Sequence, residues 1–266
     1  MTDLYPPVPL RRVAVIGAGW LGGYLAGQLV KSGPVSATYR KPDLRDALES
    51  AGVEPVFADF PTHLDYLPDL FAACDAAVVC LPPGGRTHGE ETTARYLSLL
   101  KPLRPFLTGV HLVYTSSTGV YGRAATGPVA ETSPLRPDTP SSRAVAAAET
   151  FFLEHASRCT ILRLAGLYGP GRDPVRFFAR QPAIPDADAP VNMIGREEAV
   201  EAIQFVLKFG IPGIFNVCSA SHPTKREFYG RRYEEAGLPP KPFLPGGSER
   251  KRIDSSKLRH LGWLTP

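Results

Sequence analysis

Apolar residues in this chain fall into short, nearly continuous runs separated by stretches with helical spacing. The runs at Arg12–Ile16, Val35–Tyr39, Glu54–Ala58, Ala76–Leu81, Val110–Ser116 and Thr160–Leu164 are rich in β-branched residues, which predicts buried strands. Between them, Trp20–Lys31, Leu44–Ala51, Leu67–Ala73, Thr92–Leu100 and Ser142–His155 repeat apolar positions every three or four residues, which predicts helices. Strands alternating with helices of this length are joined by right-handed crossovers. The expected class is therefore α/β, a parallel, doubly wound sheet. Beyond Tyr168 the pattern becomes irregular, with one helix expected over Glu197–Lys208 and one strand over Gly213–Val217.

The first strand ends in VIGAGWLG, with the spacing Gly17-x-Gly19-x-x-Gly22. Glycine is common in turns, so the motif alone says little. Its place between a strand and a helix gives it weight as a dinucleotide-binding (Rossmann) turn. Gly17 allows the tight turn, Gly19 lets backbone approach a pyrophosphate, and Gly22 lets the helix pack on the strand. Trp20 and Leu21 fill the same turn, and the helix start offers free N–H groups to phosphate. The expected organisation is a cofactor-binding domain over 1–165 and a small C-terminal substrate lobe over 166–266. Part of 190–220 is free to pack back on the first domain.

An acidic residue about 20 positions after the glycines would hold the ribose 2′-hydroxyl of NAD. This chain has Thr38-Tyr39-Arg40-Lys41 there. Two cations attract a 2′-phosphate, so NADP(H) is expected, with Arg40 the main contact, Lys41 beside it and NAD(H) the alternative. Asp59, after the third strand, is placed to meet the adenine amino group. Leu81, Pro82 and Pro83 follow the fourth strand, where the nicotinamide half is expected to lie.

Composition narrows the setting. With 266 residues, 43% hydrophobic and 21% charged, the chain reads as an ordinary globular protein. The net charge of +4 comes without the dense basic stripe of a nucleic-acid surface. No apolar stretch is long enough to span a bilayer, and MTDLYPPVPLRR lacks the order of a signal peptide. Cys74, Cys80, Cys159 and Cys218 show no metal or redox spacing; they read as reduced residues of a cytoplasmic protein. The histidines are dispersed, and no metal site is expected. Prolines crowd 132–140, 182–190 and 239–245, which marks loops.

Further on, VYTSSTGVYG (113–122), LRLAGLYGPGR, VNMIGREEAVEAI and KRIDSSKLRHLGW occur in order. With VIGAGWLG, these segments resemble the extended short-chain dehydrogenase/reductases, the group of NAD(P)-dependent epimerases, dehydratases and reductases. The resemblance implies a substrate-facing hydroxyl at the end of the fifth strand, which Ser117 supplies, with Ser116 beside the cofactor. It also implies a Tyr-x-x-x-Lys pair opening the next helix, and here the chain departs. In PDTPSSRAVAAAE one register places Ser141 and Val145 in those slots; another places Thr139 and Arg143. Neither supplies a tyrosine. Relatives carry an isoleucine–histidine and an aspartate where this chain has Gly195 and Glu198. Tyr121 and Tyr168 are then candidate surrogate proton donors, Tyr121 the stronger, and His88 sits in a loop near the expected nicotinamide.

Three functions follow in order. The first is an NADP-dependent oxidoreductase acting on a small carbonyl or alcohol, with Ser117 and Tyr121 at the reacting centre. The second is a non-catalytic NADP(H)-binding redox sensor. The third is a nucleotide-sugar epimerase or dehydratase, which leans on the missing tyrosine. A small-molecule substrate is the expected partner, with neither nucleic acid nor membrane involved. Apolar residues over Ala144–Phe152 leave a homodimer open.

Overall fold

The computed structural model describes residues 5–60 and 62–263. Residues 1–4, 61 and 264–266 lie outside them. The chain forms the strands and helices β1 Val13–Ile16, α1 Gly22–Leu29, β2 Val35–Tyr39, α2 Asp43–Ser50, β3 Glu54–Phe57, α3 Leu67–Ala72 and β4 Ala76–Val79. Then come the one-turn helix α4 Gly85–His88, α5 Thr92–Leu100, β5 His111–Ser117, the two-residue β6 Pro128–Val129, α6 Pro140–His155 and β7 Arg158–Leu164. The remainder holds β8 Gly166–Tyr168, β9 Met193–Gly195, α7 Arg196–Lys208, β10 Gly213–Val217, α8 Lys225–Glu235, β11 Arg252–Ile253 and α9 Ser256–His260.

Seven strands make one parallel sheet in the order β10-β7-β5-β4-β1-β2-β3. The doubly wound sheet expected from the apolar runs is what forms. Its central strands β1 and β4 are buried along their whole length, as their unbroken apolar sequences VAVI and AAVV require. The order reverses between β1 and β4, and ligands of such sheets bind beyond the carboxyl ends of strands at that point.

Several boundaries shift for identifiable reasons. Helix α1 starts at Gly22 rather than Trp20, because the glycine turn occupies the intervening residues. Helix α6 starts at Pro140, capped by Thr139, whose hydroxyl accepts from the Ser142 N–H. Proline suits that first position, where no N–H partner is needed. The strand expected over 213–217 joins the main sheet beside β7, so a segment from the irregular tail completes the core.

A second, smaller apolar cluster gathers Val175, Ile184, Val191, Met193, Tyr229 and Tyr233. Helix α8, which no strong apolar stripe announces, enters it through Tyr229 and Tyr233, one turn apart. Two small parallel pairs, β8–β9 and β6–β11, brace this region. The four cysteines are free thiols, three of them buried. Among the described residues no helix is long and apolar enough to cross a membrane.

Candidate functional site: a cleft beyond one half of the sheet

The glycine turn is built by close contact. Gly17 has φ +102°, and a side chain there would run into Leu81. A Cβ on Gly22 would lie 2.2 Å from the Gly17 carbonyl oxygen, so α1 packs directly on the turn. The Gly17 N–H donates to Thr38 Oγ1 at 2.8 Å and the Ala18 N–H to the Thr38 carbonyl at 2.7 Å, which pins the turn to the end of β2. No side chain caps the helix at Leu21, an arrangement that leaves N–H donors for an anion.

A cleft of about 950 Å³ opens above this turn. Gly17, Gly19 and Trp20 form its floor, and Arg40 and Lys41 stand at one end with Asp43 nearby. Leu81, Pro82 and Pro83 form the wall after β4, and His88, Arg95 and Tyr96 close the other side. The Arg40 and Lys41 side chains are exposed and make no hydrogen bond or ion pair within the described residues. The Tyr96 hydroxyl donates to the Leu81 carbonyl at 2.7 Å, which anchors the wall to α5. Burial pushes the Cys80 thiol in the wall up to about 12, so it is a neutral side chain there.

Other expected residues are placed differently. Leu21 and Gly22 support the turn from behind and do not line the cleft. Asp59 lies between two lining residues, Ala58 and Phe60, while its own carboxylate turns to Thr62. Ser116 and Ser117 point to opposite faces of the sheet, as successive strand residues must. The Ser116 hydroxyl donates to the buried Glu149 carboxylate, so its side chain faces the core and not a cofactor. Ser117 Oγ accepts from the Gly119 N–H at 3.1 Å and keeps its own proton free to donate.

Tyr121 is the clearest revision. It is 1% exposed; its hydroxyl donates to Asn216 Oδ1 at 2.7 Å and accepts from Arg163 Nη1 at 2.8 Å. Burial raises its pKa, with Arg163 pulling the other way, and its proton is already committed. It holds structure together and is not an accessible proton donor. Tyr168 lines a different pocket of about 510 Å³ with Met193, His222 and Arg231.

Tyr121 belongs to a buried polar network that the sequence reading missed. Arg163 on β7 donates through Nη2 to Glu149 Oε2 at 2.7 Å and through Nε to Oε1 at 3.0 Å. Asn216 on β10 continues the chain of bonds to the Asp254 carbonyl at 2.9 Å. The available signal was an arginine inside the apolar strand CTILRL and a glutamate on the inner face of α6. Buried charges of that kind need partners.

At the start of α6, Thr139 caps the helix and Val145 is buried. Ser141 is covered by Gly85 of α4: a Cβ on Gly85 would lie 2.1 Å from Ser141 Oγ. Arg143 Nη2 donates to both carboxylate oxygens of Glu90 at 2.7 Å. Glu198 accepts from the Gly195 N–H and from Ser219 Oγ, both at 2.9 Å, so it caps α7. Trp20 ties the glycine turn to the tail: its indole N–H donates to the Pro170 carbonyl at 2.8 Å, and Arg196 sits over both Trp20 and Tyr24.

A sequence model of the NAD dependent epimerase/dehydratase family matches residues 13–183. The chain belongs to this family. It is 34% identical over 261 residues to Protein YeeZ of Escherichia coli K12, with 93% of this chain and 90% of YeeZ covered. Among solved structures, UDP-glucuronic acid 4-epimerase from Bacillus cereus in complex with NAD superposes with a TM-score of 0.76 at 17% identity. That match covers 96% of this chain and 93% of the epimerase. UDP-glucose 4-epimerase from Thermotoga maritima, solved with UDP-glucose, gives 0.72 at 19% identity over 95% and 93% of the two chains. At such identities the shared property is the fold of the epimerase/dehydratase family.

Proposed function

We propose that this chain binds NADP(H) in the cleft and is an oxidoreductase acting on a small carbonyl or alcohol. The observation that carries the reading is the pair of free cations, Arg40 and Lys41, at the end of β2, where a 2′-phosphate would lie. The uncapped start of α1 and the tight glycine turn suit a pyrophosphate, and Phe60, Leu44 and Ala58 offer apolar surface to an adenine. NAD(H) is the alternative, favoured by Asp43 in the same wall and by the NAD seen in solved members of the fold. A bound reduced nicotinamide supplies hydride. Ser117, with its proton free, is the group that would polarise a substrate oxygen, and solvent would deliver the one proton the new alkoxide needs because Tyr121 cannot.

A second reading, an NADP(H)-responsive binding protein, is favoured by one specific contact. In the register that puts Ser141 in the slot of the relatives' acid–base residue, that position is covered here by the backbone of Gly85. The epimerase activity of the structural neighbours relies on that same position, which makes it the third choice. One experiment separates the first two: NADPH-loaded protein is mixed with a small-molecule cell extract and the reduced-nicotinamide absorbance is followed. Net decay is expected for an oxidoreductase. A flat trace with NADPH still bound would overturn that reading in favour of the binding protein.

A further inference from the structure

A dinucleotide bound across the switch point of a doubly wound sheet spreads its two halves over both sides of the reversal. The cleft described above serves only one side. Its described lining comes from the ends of β1, β2, β3 and β4 and from α2, α4 and α5, with none from β5 or β7. Ser117, at the end of β5, is not part of it. The segment between β4 and α5 stands in between. It leaves β4 through Pro82-Pro83, turns at Gly84 with φ +71°, forms α4, and turns again at Gly89 with φ +50°. These two turns let a one-turn helix fold down onto α6.

Contact there is tight. Besides the hydroxyl, a Cβ on Gly85 would meet Ser141 N at 2.8 Å and Ser141 Cα at 3.1 Å, so only glycine lets the segment seat. Seating is secured from outside by the Glu90–Arg143 pair, whose glutamate is 83% exposed. Exposed pairs of this sort are weak. The packing is therefore close, and the fastening is light.

We infer that residues 84–91 are a gate over the nicotinamide half of the site, seated by Gly85 on Ser141 and latched by Glu90 to Arg143, so that the closed protein grips NADP(H) by its adenosine-diphosphate half alone. The inference rests on the NADP(H) reading above. Binding to the closed form gains nothing from the nicotinamide ring, and the apparent affinity of a ligand that needs the open form is scaled down by the fraction of molecules that are open. Hydride transfer then requires the segment to lift off Ser141, which joins the cleft to the partly exposed Ser117 at the end of β5.

The test compares NADP+ with 2′-phospho-ADP-ribose, which lacks only the nicotinamide ring, by equilibrium titration of the full chain. In the native protein the two should bind within about threefold of each other. Gly85→Ala, whose methyl group cannot seat on Ser141, should make NADP+ bind at least about tenfold more tightly than the fragment. Arg143→Ala, which removes only the latch and leaves the packing intact, should move the ratio the same way by about two- to fivefold. A native protein that already prefers NADP+ by tenfold or more would overturn the gate, as would an unchanged ratio in both variants. Failure of both ligands to bind would instead overturn the NADP(H) reading itself, and the two failures are distinguishable.

Discussion

The two halves of the sheet's carboxyl edge are built on opposite principles. Beyond β3, β2, β1 and β4 the backbone turns sharply, and a cleft of about 950 Å³ is left with the exposed side chains of Arg40 and Lys41 at its rim. Next to β5, β7 and β10 the space is spent on a buried network joining Ser116, Tyr121, Glu149, Arg163 and Asn216. One half leaves charged side chains without protein partners among the described residues; the other satisfies its polar groups internally. The difference teaches that a preserved cofactor turn and a preserved reaction centre are separable, because each depends on its own set of contacts.

The comparison is most severely broken at Glu149. Its carboxylate and the Arg163 guanidinium are both nearly inaccessible, so Glu149→Ala leaves a buried charge without its partner. The expected cost is about 3–5 kcal/mol in urea unfolding. A loss under about 1 kcal/mol would mean that the network does not hold the closed half together.

Next in size is a pH effect on the same side. His111 opens β5 with Nε2 at 2.7 Å from Thr160 Oγ1, and burial pushes its pKa down to about 4. The unfolded chain takes up a proton near pH 6.5 while the native protein does not. Stability is thus full above about pH 6.5, falls as the pH drops, and levels off near pH 4, a total of roughly 3 kcal/mol. His111→Gln should flatten that part of the stability profile; an unaltered slope would point to another group.

On the open side, Arg40→Ala should lower the NADPH/NADH affinity ratio by roughly tenfold or more, the worth of a charged hydrogen bond. An unchanged ratio would remove the argument for NADP(H). Smallest of all, Arg143→Ala should cost less than about 1 kcal/mol of global stability, since its partner Glu90 lies mostly in water. Thermal unfolding that shifted by much more would show the latch to be part of the core.

Legibility followed the range of the interactions. The strands of the main sheet and the glycine turn were readable because continuous β-branched runs and the spacing of Gly17, Gly19 and Gly22 are local signals of local geometry. Arg40 and Lys41 could be placed at the cleft by counting from that turn. Helix α8 was not legible, since its only buried anchors are Tyr229 and Tyr233 in an otherwise charged segment. Tyr121 misled for a similar reason: its position in the chain suggests a cleft residue, while its partners Arg163 and Asn216 lie 42 and 95 residues away.

The amino-acid sequence by itself determined a doubly wound α/β fold, a glycine turn with basic residues beyond β2, and a helix α6 that contains neither tyrosine nor lysine. Periodicity, glycine spacing and residue identity are properties of short segments, and they survive without knowledge of the rest of the chain. Only the tertiary structure decided which hydroxyls are spent on buried charges, that Gly85 covers Ser141, and that the cleft stops at β4. Those outcomes depend on which distant segments meet and how tightly they pack, and no local pattern carries that information.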